Sequence, residues 1–299
     1  MMKTRKRRTL GMLVSAILLT FFFSLAHAAE FVPKTGNYYV KEIGGVRFHT
    51  YATPLPAGAG SSHIIESQNG LVMVDTLQNR PDNDELKRLV ESLKKPLRRI
   101  YISHAHEHHW VGLEMFPGVP VYTIETTLNQ IREQGAQKLQ GLKKQFGEEA
   151  IPYKQAVIPQ HVVKPGEEKV EGVLFRFIDP AEPFVEDDIL FIEFPEQKAL
   201  IHHHLAYVGL QLPMPPIPAR LDVLKQYKAK NYNWVMAGHG IPSPGNEFFD
   251  KAAEYLATAQ RLIQESPDVK TAKEKLVKAY PTYGGVFLLD LLLPAFYKK

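Results

Sequence analysis

The residues with the clearest chemical potential are histidines. Of twelve in 299 residues, four fall in the run His104-Ala105-His106-Glu107-His108-His109. Another, His239, sits between two glycines, and His202, His203 and His204 lie side by side. Imidazole is the commonest ligand for zinc and similar ions, and a His-x-His pair on an extended segment can turn both rings to one side. The chain has no cysteine, so a transition metal would have to be held by His, Asp or Glu. A lone histidine is usually a satisfied core or surface residue. Four in so short a run point to a metal site, with a neutral surface cluster as the plain alternative.

Such a site needs elements that deliver the rings to one place. Short runs at 38–43, 46–51, 62–67 and 71–75 predict strands, broken by Gly and Pro. Asp82 can cap a helix over 82–94, with Leu86, Leu89, Val90 and Leu93 on one face. A strand at 99–103 feeds directly into the histidine run, and 119–123 predicts another. The stretch 126–146 predicts a helix covering the sheet or, alternatively, walling a substrate site. The second half starts again with predicted strands at 156–158, 161–163, 169–170, 173–178, 188–194 and 199–204. Residues 213–218 are rich in proline and read as a loop that is neither helix nor central strand. A helix at 221–228, a strand at 232–236 ending in Gly238-His239-Gly240, and helices at 247–264 and 268–279 complete the pattern. No linker divides the halves. The expectation is one α/β domain over 29–299, sheets inside and helices outside. The histidines then stand at strand ends, where α/β proteins usually build sites. Trp110 and Phe116 are expected to pack against the sheet. The apolar stretch 286–293 reads as a packed helix or a dimer contact, being too short to span a bilayer.

Residues 1–28 have the three-part layout of a secretory signal: five basic residues from Lys3 to Arg8, an apolar run, and Ala26-His27-Ala28 as a cleavage signature. That implies a periplasmic or secreted protein with no stable membrane span after cleavage. Without those five basic residues the formal charge of +4 becomes about −1, which gives no support for nucleic-acid binding. The absence of disulfides and thiolates fits an oxidising compartment without establishing one.

Ser103-His104-Ala105-His106-Glu107-His108-His109-Trp110-Val111-Gly112 resembles the His-x-His-x-Asp-His-x-x-Gly motif of the metallo-β-lactamase superfamily. Val74-Asp75-Thr76 resembles its earlier strand-end aspartate, and Phe194–Ile201 resembles the segment leading to its metal-bridging aspartate. Gly238-His239-Gly240 resembles its last ligand motif. The resemblance implies a four-layer αββα sandwich and a hydrolase of small molecules. Metal-activated water would attack an ester, lactone, thioester or amide carbonyl. It places His104 and His106 on a first metal, with Glu182 where the family has a further histidine, and His109 and His239 on a second.

Two departures stand out. His108 occupies the position of the motif's aspartate, and His204 that of the bridging aspartate. Neutral imidazole has one lone pair and cannot bridge two metals as a carboxylate can. His108 and His204 could still ligate the second metal, closing a shell with His109 and His239, and His108 could instead shuttle protons. A closed shell suits a structural or storage metal, since catalysis needs an open position. A non-catalytic metal-binding protein on the same fold is therefore the alternative function. With fewer carboxylates to offset charge, one tightly held ion or an asymmetric pair is expected. Zinc is the first expectation, and copper, nickel or iron would also suit imidazoles.

Overall fold

Adjacent glycines in left-handed conformations let the chain reverse tightly. Gly44 and Gly45, at φ +59° and +77°, join β1 (Asn37–Ile43) to β2 (Val46–Ala52), with Ile43 paired to Val46. This hairpin is the first strand pair of the computed structural model, which describes residues 31–178, 180 and 189–298. The expected signal at 1–28 and the candidate ligand Glu182 lie outside the described residues.

The chain continues through β3 (Ser61–Glu66), β4 (Leu71–Val74), α1 (Arg80–Ser92) and β5 (Leu97–Tyr101). A short α2 (Glu107–Trp110) precedes β6 (Val121–Thr123), α3 (Glu125–Phe146) and β7 (His161–Val162). These seven strands form one sheet in sequence order, antiparallel from β1 to β4 and parallel from β4 to β7. The second sheet contains β8 (Gly166–Val170), β9 (Val173–Ile178), β10 (Phe191–Phe194) and β11 (Ala199–His202), followed after α4 (Ile217–Ala229) by β12 (Trp234–Ala237). Only the β11–β12 pair in that sheet is parallel. The helices α5 (Gly245–Gln264), α6 (Val269–Ala279), α7 (Phe287–Leu292) and α8 (Pro294–Tyr297) end the chain.

Three apolar clusters define the layers. Leu71, Met73 and Ile100 of the first sheet pack with Leu86, Leu89, Trp110 and Ile131 from α1, α2 and α3. Leu200 and Val235 of the second sheet pack with Leu224, Phe248 and Leu276 from α4, α5 and α6. Between the sheets, Phe48 meets Phe194 edge-on at 5.0 Å, and Tyr101 lies 5.1 Å from Phe177. The order is helix, sheet, sheet, helix: the αββα sandwich. Trp110 and Phe116 are buried in the first of these clusters. No described helix is long and apolar enough to cross a membrane.

Some local expectations need correction. The segment expected as a strand at 156–158 pairs with nothing; Pro159 lacks an N–H, and edge pairing with β6 starts only at Gln160 and His161. The proline-rich stretch does not stay loop to its end, because α4 begins at Ile217 with Pro218 in its first turn, where a missing N–H costs nothing. Strands expected to reach Asp75, Ser103 and His204 stop at Val74, Tyr101 and His202. In each case the chain leaves the sheet to turn side chains inward. Asp75 and His204 do so in left-handed conformations, φ +64° and +58°.

Candidate metal centre

The first ring-bearing loop follows β5. His104 lies on it, fully buried, with Nδ1 2.9 Å from Ser103 Oγ. The single turn of α2 begins after His106 and swings His108 and His109 onto the same side; His109 N–H donates to His106 O at 3.1 Å. Two anchors hold this backbone. Trp110 Nε1 and Lys138 Nζ both donate to Ala105 O, at 3.1 and 2.9 Å. Thr76 N–H donates to His109 O at 2.8 Å. The motif's Gly112 has a steric cause, since a Cβ there would lie 2.4 Å from Oδ1 of Asn83, whose side chain bonds both the N–H and C=O of Leu77.

The second sheet supplies the remaining rings. His203 and His204 follow β11, and His239 follows β12. Arg220, buried on α4, donates to the carbonyls of His204, Leu205 and Pro215, pinning the turn that presents His204. Gly238 makes room for His203, whose Cδ2 would lie 2.0 Å from a Cβ at that position. A backbone bridge between Gly60 and His239, flanked by Ser61 N–H to Gly238 O and Gly240 N–H to Ala59 O, ties β12 to the first sheet. His239 Nδ1 bonds Gly58 O at 2.8 Å, so its Nε2 lone pair faces inward, 3.0 Å from His108 Nε2.

These segments bring together three overlapping trios whose nitrogens lie within 4.8 Å of one another: His104, His106 and His204; His104, His109 and His203; His108, His109 and His239. Among the described residues no carboxylate belongs to a trio. The sequence expectation grouped His204 with His108, His109 and His239, whereas it sits with His104 and His106. His203, named in the sequence only as one of a row, is the ring that sequence reasoning missed. The Gly238 cradle, Ser103 and Arg220 were likewise given no role at the site, and Asp75 was read as the family's strand-end aspartate without a role against the rings.

Asp75 is the buried carboxylate behind the rings. Its Oδ1 accepts from Ser103 N–H and its Oδ2 from Ser103 Oγ, both at 2.7 Å. Oδ2 also lies 3.0 Å from His109 Nδ1 and 2.9 Å from His203 Nε2. Asp75 thus places its carboxylate against two rings and, through Ser103, a third.

Burial first, then repulsion between neighbouring rings, pulls the basicity of His104, His108, His109 and His204 well below that of free imidazole. Burial brings His239 down to about 4, against the opposing bond to Gly58. These five rings are therefore neutral at ordinary pH. Nε2 of His104, Nε2 of His109 and Nδ1 of His203 are buried without a hydrogen-bonded partner. Such burial is costly unless something accepts the lone pairs, and a cation of the zinc class does so. The donor set fits a metal.

The rings are reached from outside by a cavity of about 580 Å³. His106, His108, His204 and His239 form its floor, and Leu77, Met214 and Leu292 belong to its walls. The helix α7 thus packs on the domain, with Leu289 buried, and also walls the cavity. α3 mainly covers the sheet, but its last residue, Phe146, reaches the cavity as well.

A search of curated proteins finds no match. Solved structures do match. A metallo-β-lactamase from Pontibacter korlensis aligns with 19% identity and a TM-score of 0.53, covering 74% of this chain and 99% of its own. The metallo-β-lactamase FIM-1 from Pseudomonas aeruginosa, in its mono-zinc form, aligns with 17% identity and a TM-score of 0.52, covering 76% of this chain and 98% of its own. At such identities the likeness is one of fold. The model of the Metallo-beta-lactamase superfamily matches residues 55–239, a span that opens before the first aspartate of the site and closes on its last histidine. By that match and by the αββα sandwich, this chain is a member of the metallo-β-lactamase superfamily.

Proposed function

We propose that the protein is an exported metal-dependent hydrolase acting on the carbonyl of a small ester, lactone, thioester or amide. The observation that carries this reading is the cavity: four of the clustered imidazoles face a space large enough for a small molecule instead of being sealed inside protein. His104, His106 and His204 would hold one cation, with His108, His109 and His239 as a second trio. A zinc-class ion held there supplies Lewis-acid polarisation of the carbonyl and lowers the pKa of water. The chain's own part is to hold the rings, exclude bulk water and manage a proton. His108 Nε2 lies beside His239 at the cavity floor, placed to bind metal or to pass a proton. One ion is favoured, because Asp75 alone among the described acids lies against the rings, and the fold accommodates a single zinc in the Pseudomonas protein. Export rests on the N-terminal pattern of residues 1–28.

Among the described residues no carboxylate joins the three trios, which favours a second reading, a metal-binding protein without turnover. One experiment separates the two. Protein purified from the exported fraction is analysed for metal, loaded with zinc, and assayed on esters, lactones and β-lactams. Turnover lost on His106→Ala supports the hydrolase. Tight metal binding with no turnover on any substrate supports the second reading.

A further inference from the structure

The cavity over the rings has a distinctive chemistry. No lysine or arginine is among its described lining residues, so away from the rings no described side chain there would pair with an anionic substrate group. Its charged lining residue apart from the imidazoles is Asp82, mostly buried, whose carboxyl is pushed up by burial. An acidic side chain in that position offers an anionic group no cationic partner. The remaining wall is largely hydrocarbon, from Leu77, Leu212, Met214, Leu288 and Leu292.

The mouth shows the same bias. Phe146 is 46% exposed at the end of α3 and Phe287 is 47% exposed at the start of α7, and both line this cavity. They are the two phenylalanines among the large exposed hydrophobic side chains of the described residues. Two helices distant in sequence thus each offer an uncovered aromatic ring to one opening. Apolar surface left in water around a pocket marks a place where an apolar ligand is bound.

Building on the hydrolase reading, we propose that the substrate is an uncharged carbonyl compound carrying an apolar chain, and that Phe146 and Phe287 select for that chain. The carbonyl lies toward the rings and the chain runs outward between the two phenylalanines. Each methylene taken from water against these walls favours binding, so selectivity grows with chain length.

The test uses zinc-loaded protein and nitrophenyl esters of butanoate, hexanoate and octanoate, with an octanoate analogue ending in a carboxylate. The expected kcat/KM rises roughly threefold to fourfold per added methylene and falls at least about tenfold when the far end is charged. Phe146→Ser with Phe287→Ser flattens the length dependence, and Phe287→Lys recovers the end-charged ester. In parallel, calorimetry follows binding of unreactive methyl alkyl ketones of the same lengths. Length-dependent ketone binding without ester turnover upholds the selection of an apolar chain by Phe146 and Phe287 and overturns the hydrolase reading. Turnover that favours short or end-charged esters overturns this inference and leaves the hydrolase reading standing. Ketone binding that is absent or independent of length also overturns the inference, as does a length dependence unchanged in the double variant.

Discussion

Oδ2 of Asp75 lies within hydrogen-bonding distance of Ser103 Oγ, His109 Nδ1 and His203 Nε2, so one carboxylate oxygen orients several rings. Partners of this kind fix ring orientation and raise ligand basicity, and their loss typically costs about 10–100-fold in metal affinity. Asp75→Asn keeps the shape but removes the charge. We expect zinc affinity, measured by chelator competition, to fall within that range while the circular dichroism spectrum is retained. Unchanged affinity would reduce Asp75 to a packing role. At this scale the sequence was legible where residues are neighbours: four clustered rings show themselves in a single line of text. His203 did not, because its place depends on the gap at Gly238, and a glycine flanking a histidine does not say which other ring it clears space for.

Gly112 belongs to the scale of elements, because it sets how closely the turn after α2 approaches α1. A Cβ there would overlap the amide of Asn83, whose bonds to Leu77 and to Tyr153 Oη secure the entry to α1. Gly112→Ala should destabilise the protein by about 1–3 kcal/mol, as overpacking does, and lower the denaturant midpoint without changing the slope. A midpoint equal to wild type would show that Asn83 moves aside freely. Strand and helix positions were largely readable, since β9 and the long α3 follow plain apolar periodicity. The ends of the strands nearest the site were overrun. Hydrophobic patterning continues through Asp75 and toward His204, while the left-handed turns that end the strands leave no mark in residue type when the residue is not glycine.

For the whole molecule, buried neutral imidazoles couple stability to pH. Burial pulls His63 down to about 3 and His239 to about 4, whereas the unfolded chain protonates both near the ordinary 6.5. Between these values the unfolded state binds more protons. The metal-free protein should therefore be fully stable above about pH 6.5 and lose stability as the pH falls toward 4 and 3. Urea midpoints at about pH 7.5 and pH 5 check this; a midpoint that holds or rises on acidification contradicts it. Zinc should raise the thermal midpoint and a chelator reverse it, because only the folded chain gathers the rings. The layered architecture was legible because each half repeats strands followed by helices. The grouping of rings between halves was not, since it depends on how two sheets meet face to face.

The Gly60–His239 bridge joins those two sheets at the rim of the ring cluster, and each trio draws two rings from the run at 104–109 and one from after β11 or β12. Neither half of the chain owns a finished nest. A polypeptide cut between β7 and β8 would yield fragments that each lack a donor, with the ion acting as the clasp. Mixed fragments should co-elute when zinc is supplied and part when it is stripped, making their reunion a gauge of free ion concentration.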